Sequence, residues 1–322
     1  MTGGLAVGID IGGTKVAGGV VDESGQILHR AHRDTPHRST SPKVVEDTIV
    51  ECVEELLEAV DAGEIVAVGV GAAGFVGADR ATVVFAPHLS WRNEPLRDRL
   101  RARLDPPVTI DNDANAALWA EARFGAAIGE SHVVMITLGT GIGGAVLVDG
   151  HITRGRHGIA GEFGHMQVVP AGLRCECGNR GCWEQYASGN ALVREARDLI
   201  AADSPVISDL RERLGTDESA LTGPLITEAA QAGDPTAREL LADIGEWLGV
   251  GIANLAAALD PGCFVVGGGV SAAGELLLGP AREAFRRQLP GRGYRPEASI
   301  VRARLGADAG LIGAAELARA GG

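Results

Sequence analysis

A repeat constrains this chain more than any other feature. Residues 5–10 form a short apolar run that ends on Asp10. The polar glycine loop Gly12-Gly13-Thr14-Lys15 follows, then a second apolar run to Val21, and the turn Asp22-Glu23-Ser24-Gly25 leads to a third run beginning Gln26-Ile27-Leu28. Strand, glycine loop, strand, turn, strand reads as an antiparallel meander. The same layout returns in residues 133–153, with the loop Leu138-Gly139-Thr140-Gly141-Ile142-Gly143-Gly144 and the turn Asp149-Gly150. From Asp10 to Leu138 the offset is 128 residues, far too long for a solenoid, so the chain reads as a duplicated domain. Taken alone, the first loop is equally well a plain hairpin. As a pair, two loops with backbone N–H groups and Thr hydroxyls make a clamp for a nucleotide triphosphate, and Asp10 could face a Mg²⁺ ion through water. Neither loop has the spacing G-x-x-x-x-G-K-[ST] or clearly joins a strand to a helix, which disfavours P-loop and dinucleotide-binding folds.

The second constraint is the segment GEFGHMQVVPAGLRCECGNRGCWEQ, starting at Gly161. His165, Cys175, Cys177 and Cys182 match tetrahedral Zn²⁺ coordination by three sulfurs and one nitrogen. The intervening glycines and Asn179 suit a tight knuckle that turns the thiolates inward, and such a closed set reads as a structural metal. A surface loop with incidental thiols, or a disulfide, is the alternative, but C-x-C is a poor disulfide spacing and leaves the His without a place. Glu162 and Glu184 flank the knuckle. Two carboxylates and the second ring nitrogen of a metal-bound His could together hold a polyol.

Charge and composition narrow the function classes. With 322 residues, 45% hydrophobic and 22% charged, the chain can build two domains of ordinary size. A formal net charge of -13 advertises no basic surface for nucleic acid or anionic lipid. No run of eighteen or more apolar residues appears, and the N-terminus reads as a strand and a loop without the basic flank and apolar core of a signal peptide. A cytoplasmic location with no membrane partner is expected, in keeping with thiols used for metal. Cys52 and Cys263 are read as small buried residues.

Between these landmarks, residues 42–59 have helical periodicity and residues 65–71 read as a strand running into Ala72-Ala73-Gly74. Residues 108–110 are a further strand. Asp111-Asn112-Asp113 follows where it gives way to a helix near Ala114. One such residue caps a helix; three at the end of a strand, where open α/β sheets present ligands, leave some for chemistry. Helices are expected at about 189–201, 236–259 and 309–320, strands at 263–266 and 299–303, and a polar stretch up to Gly223. Gly267-Gly268-Gly269 could lie flat against an aromatic base, or supply a positive φ at a strand-to-helix turn.

The motifs DIGGTK, DNDANAA, LGTGIGG, GEFGH, C-x-C-G-x-x-G-C-x-E and the late GGG stand in the order found in the ROK family of bacterial sugar kinases and repressors. The chain resembles that family over nearly all its length, most closely its actinobacterial glucokinases. The resemblance implies an α/β, actin-like (ribonuclease-H-like) fold of two halves around a cleft. The expected halves are 1–115, with a closing helix 308–322 packed back on it, and 116–307, carrying the zinc knuckle. It implies that Asn112, Asp113, Glu162, His165 and Glu184 hold the sugar with backbone near Gly74. Asp10, Gly12, Gly13, Thr14 and Lys15 match the first phosphate motif, Thr140 and Gly141 the second, and Gly268 the adenosine motif.

The implied activity is phosphorylation of glucose at its 6-hydroxyl by ATP with Mg²⁺, with Asp113 as general base, a structural Zn²⁺, and a homodimer or homotetramer. Phosphoryl transfer depends on positioning, charge neutralisation and a base for the hydroxyl proton. Another hexose (fructose, mannose or an N-acetylhexosamine), polyphosphate as donor, or a sugar-sensing regulator are the alternatives. A regulator needs a helix-turn-helix, for which a first strand at Leu5 leaves no room.

Overall fold

The computed structural model describes residues 4–214 and 220–321. The polar stretch expected up to Gly223 therefore falls partly, at 215–219, outside the described residues. The chain forms two compact units. Unit 1 comprises residues 1–131, 145–161 and 304–322; unit 2 comprises 132–144 and 162–303.

The meander of unit 1 is β1 (Leu5–Ile11), β2 (Lys15–Val21) and β3 (Ile27–Asp34), followed by α1 (Pro42–Glu58) and β4 (Ile65–Ala72). A small sheet, β5 (Phe75–Val76), β6 (Val83–Phe85) and β7 (Arg92–Glu94), then leads through α2 (Leu96–Arg101) to β8 (Val108–Asn112) and α3 (Asp113–Phe124). The large sheet has the order β3-β2-β1-β4-β8. β1 pairs antiparallel with β2 and β2 with β3, while β1–β4 and β4–β8 are parallel.

The repeat follows in β9 (Val133–Leu138), β10 (Ile142–Val148) and β11 (His151–Ile152), and continues through α4 (Glu184–Ala187), α5 (Gly189–Ala201), α6 (Ser208–Leu214), α7 (Gly223–Gln231) and α8 (Pro235–Leu259). The last elements are β12 (Cys263–Gly267), α9 (Glu275–Gln288), β13 (Ser299–Arg302) and α10 (Ala309–Arg319). The second sheet has the order β11-β10-β9-β12-β13, with β9–β12 and β12–β13 parallel. Strand for strand this repeats the first sheet, so the duplication read from the two glycine loops extends through five strands.

α10 lies against β1, β4 and α3, with every residue from 309 to 319 buried. Glycines permit that approach: a methyl at Gly8 would sit 1.9 Å from Leu311 O, and one at Gly69 1.8 Å from Ala314 O. A cut between 115 and 116 does not match the division seen. It would split α3, whose Ala116 packs with Ala314 and Leu317 of α10. The helix therefore stays whole in unit 1, which runs on to Ser131 and takes back 145–161.

In unit 2, α8 is the central helix, and its length and composition would suffice to cross a bilayer. Here it is a core element: methyls at Gly245 and Gly249 would meet Leu277 O and Ala281 O of α9 at 2.4 and 2.3 Å. No other helix among the described residues is long and apolar enough to span a membrane.

Candidate active site

The expected site residues fall into two sets, each assembled within one unit. In unit 1, Asp10 is the penultimate residue of β1 and Lys15 opens β2, so Gly12, Gly13 and Thr14 form the tip between the strands, with Gly12 N–H donating to Lys15 O (3.0 Å). Gly13 is bare because His88 lies over it; an added methyl would come 3.2 Å from the His88 Cβ.

The Asp111-Asn112-Asp113 triplet divides its labour. Asn112 is the cap of α3: its Oδ1 accepts from Ala114 N (2.9 Å) and Asn115 N (3.2 Å), and its Nδ2 donates to Gly74 O (3.1 Å). Asp111 is buried and paired with Arg154 (2.5 Å) and Arg80 (3.1 Å). Asp113 takes neither of those parts; its Oδ1 accepts the N–H of the next residue, Ala114, at 2.9 Å. Desolvation pushes the Asp113 carboxyl up to about 6, against the backbone and Asn112 hydrogen bonds that favour its charge. Asp10 is pushed up to about 7, by desolvation first and then by the Asp113 charge, with Lys15 opposing. A buried carboxylate raised further by a second one, beside a phosphate-type loop, is a donor set that a divalent cation relieves.

In unit 2, the second loop stands against the positive end of α5. Gly189 N–H donates to Gly139 O (2.8 Å) and Asn190 N–H to Thr140 O (3.3 Å), with the Ser188 side chain capping the helix. A 13-residue helix aimed at a glycine loop supplies the field that favours an anion. Gly141 faces Glu184: a methyl there would lie 2.6 Å from Glu184 Oε2. Loop and knuckle are thus neighbours.

The knuckle brings its four donors together. His165, Cys175, Cys177 and Cys182 have ligand atoms all within 4.8 Å of one another. Cys177 Sγ and Cys182 Sγ are 3.6 Å apart, and Cys175 Sγ lies 3.7 Å from His165 Nδ1. A tetrahedron with Zn–S bonds of about 2.3 Å has edges of about 3.8 Å, so the set fits that ion. Nδ1 faces the sulfurs, which leaves Nε2 as the donor to any substrate. The backbone turn is closed by Gly178 N–H to Cys175 O (3.1 Å) and Cys175 N–H to Asn179 O (2.9 Å), with Gly178 at φ 96°. Trp183, fully buried, anchors the knuckle through its Nε1–H to Trp247 O (2.8 Å) and by packing on Gly251 of α8. Glu184 Oε1 lies 3.0 Å from Cys175 Sγ and 3.5 Å from His165 Nδ1, and Glu162 immediately precedes the short turn Phe163–His165, its backbone O accepting from His165 N–H (3.1 Å).

Gly268 has φ 80°, and a methyl there would meet the Leu138 backbone at 2.4 Å. Its bareness is thus accounted for by the strand-to-helix turn. Gly269, with nothing within 4 Å of an added methyl, is the open surface of that cluster. Sequence reading passed over Arg80, Arg154 and Glu121. Glu121 is fully buried, and its carboxylate accepts from Ala126 N (2.7 Å), Arg304 N (3.1 Å) and Leu305 N (2.8 Å). The one available signal was an acid on the buried face of an alanine-rich helix.

Comparison with known proteins supports the same architecture. A model of the ROK family matches residues 6–320. A glucokinase of Streptomyces coelicolor is 47% identical over 317 residues, 98% of each chain. A glucokinase of Thermotoga maritima is 36% identical over 312 residues, 97% of this chain and 96% of the relative. The crystal structure of a ROK family glucokinase from Streptomyces griseus in complex with glucose and AMPPNP superposes with a TM-score of 0.89 at 49% identity, covering 98% of this chain and all of that one (100%). With its duplicated sheets, paired glycine loops and Cys/His knuckle, this chain belongs to the ROK family.

Proposed function

We propose that this protein is a glucokinase that transfers the terminal phosphate of ATP to the 6-hydroxyl of glucose. One juxtaposition carries the reading. Asp113, raised to about 6, lies close enough to Asp10 of the first loop for their charges to interact, in a chain 47% identical along its length to a glucokinase. A base with a pKa near the working pH takes a hydroxyl proton efficiently. Gly74, Asn112, Asp113, Glu162, His165 and Glu184 hold the sugar, with Asp113 receiving the 6-hydroxyl proton as the oxygen attacks phosphorus. The loops at Gly12–Lys15 and at Thr140 and Gly141 supply backbone donors to the phosphates, and Gly268 with its neighbour Gly269 borders the adenosine. Asp10 would hold Mg²⁺, which neutralises phosphate charge when bound. His165, Cys175, Cys177 and Cys182 would hold Zn²⁺, whose part is to fix the knuckle.

The test is a panel of glucose, fructose, mannose and N-acetylhexosamines with ATP or polyphosphate as donor, read by ADP release and by sugar phosphate formed. Glucose with ATP is expected to give the highest kcat/KM. A preference for another hexose of tenfold or more would overturn the substrate assignment, and no turnover with any sugar would overturn the kinase reading.

A further inference from the structure

The Asp111 carboxylate ties together three separate segments of unit 1. Its Oδ2 receives Arg154 Nη2 (2.5 Å) and Nε (2.9 Å) and lies 3.1 Å from Arg80 Nη2. Its Oδ1 accepts from the Asn112 N–H and from Asn115 Nδ2, both at 2.9 Å. The backbone just before Asp113 and the first turn of α3 just after it therefore hang on a single carboxylate, which is 3% exposed. Arg80 reaches it from the β5–β6 turn with φ at 49°, a left-handed conformation uncommon for a residue with a side chain. Arg154 reaches it from segment 145–161, which closes through Ala160 N–H to Arg154 O (3.1 Å). That segment presses on the β5–β6 hairpin, since a methyl at Gly158 would lie 2.3 Å from Val76 O.

We propose that Arg154 and Arg80, acting through Asp111, are positioning residues for the phosphoryl transfer, holding the β8–α3 junction so that Asp113 meets the attacking hydroxyl. The proposal rests on the reading of Asp113 as the base. A fold that needed only a helix start has one in the Asn112 cap, and that cap does not use Asp111. What the network adds is a fixed direction for the junction: it grips the peptide on one side of Asp113, the side chain of Asn115 on the other, and two distant loops. Displacement of a reacting group by about 1 Å can cost about 10²-fold in rate.

Asp111→Asn would strand two guanidinium groups in a buried setting and endanger folding, so the test uses Arg154. Arg154→Lys keeps the charge without the fork, and Arg154→Ala removes both. For each, kcat, KM for glucose and for ATP, and a melting curve are measured, the Ala variant also with added guanidinium at a non-denaturing concentration. The expected result is kcat lower by about 10- to 100-fold in both, with KM for ATP little changed, and partial rescue of the Ala variant by guanidinium. Two results would overturn the proposal. One is turnover within about threefold of wild type in either folded variant; the other is a loss of rate that follows the loss of folded protein and is not rescued. Wild-type turnover in the same assay judges the kinase reading separately.

Discussion

With Asp113 proposed as the base, its raised pKa sets opposite expectations for activity and for stability. Asp113→Asn keeps size and most hydrogen bonds to the sugar while removing the proton acceptor. The expected fall in kcat is about 10²- to 10⁴-fold, with the glucose dissociation constant much less affected. A kcat within about tenfold of wild type would refute the base; a collapse of affinity with kcat intact at saturation would make Asp113 a binding residue instead. Because Asn112 is the helix cap, the substitution leaves capping untouched. The pH dependence has a definite sign. The carboxylate is the working form, so kcat/KM measured on the free enzyme is expected to rise with pH through about 6 and then level off. Stability runs the other way: Asp113 and Asp10 bind protons more tightly folded than unfolded, so stability is lost as pH rises from the ordinary 3.8 to about 6 and about 7. The ligand-free Asp113→Asn variant is therefore expected to melt higher than wild type at pH 8, and a lower melting temperature there would contradict the desolvation account.

At the scale of elements, the knuckle and the α10 crossing depend on different physics. From Cys175 to Cys182 the chain carries, besides its three cysteines, only glycine, Glu, Asn and Arg, so a metal would account for the order of that turn. Metal analysis is expected to find about one Zn²⁺ per chain, with Cys177→Ser losing it and weakening glucose binding, because the cluster orients His165 and Glu184. A zinc-free protein that is fully folded and fully active would sink this role. The α10 crossing is a matter of backbone proximity: Gly8→Ala places a methyl 1.9 Å from Leu311 O, and the shift it forces is expected to cost about 1–3 kcal/mol. Chemical denaturation would read that as a lower midpoint at unchanged slope; an unchanged midpoint would show that α10 moves freely on β1. Elements with one-sided patterning or clear ends were legible beforehand, among them α1, β4, α8 and both meanders. β5 to β7 and α9 were not. The small sheet has strands of two or three residues, too short for any periodicity to show, and α9 carries Pro280 inside it, which reads as a helix break.

For the whole molecule, the resemblance implies association, and light scattering at micromolar concentration is expected to give twice or four times the chain mass of 33.1 kDa; a monomer would overturn that. The sequence by itself determined the duplication, the two glycine loops, the four-donor knuckle and the family, because each is written in residues close together in the chain, where spacing alone carries the chemistry. Only the tertiary structure decided that Asp111 pairs with Arg80 and Arg154, that Asn112 caps α3, and that Asp113 is taken up by neither part. Their neighbours Arg80, Arg154 and Gly74 come from elsewhere in the chain, and burial, charge pairing and the pKa shifts that follow depend on those distant partners. The same holds for the limits of the two units: α10 packs on α3 through glycines and alanines, a close approach that no local pattern announces.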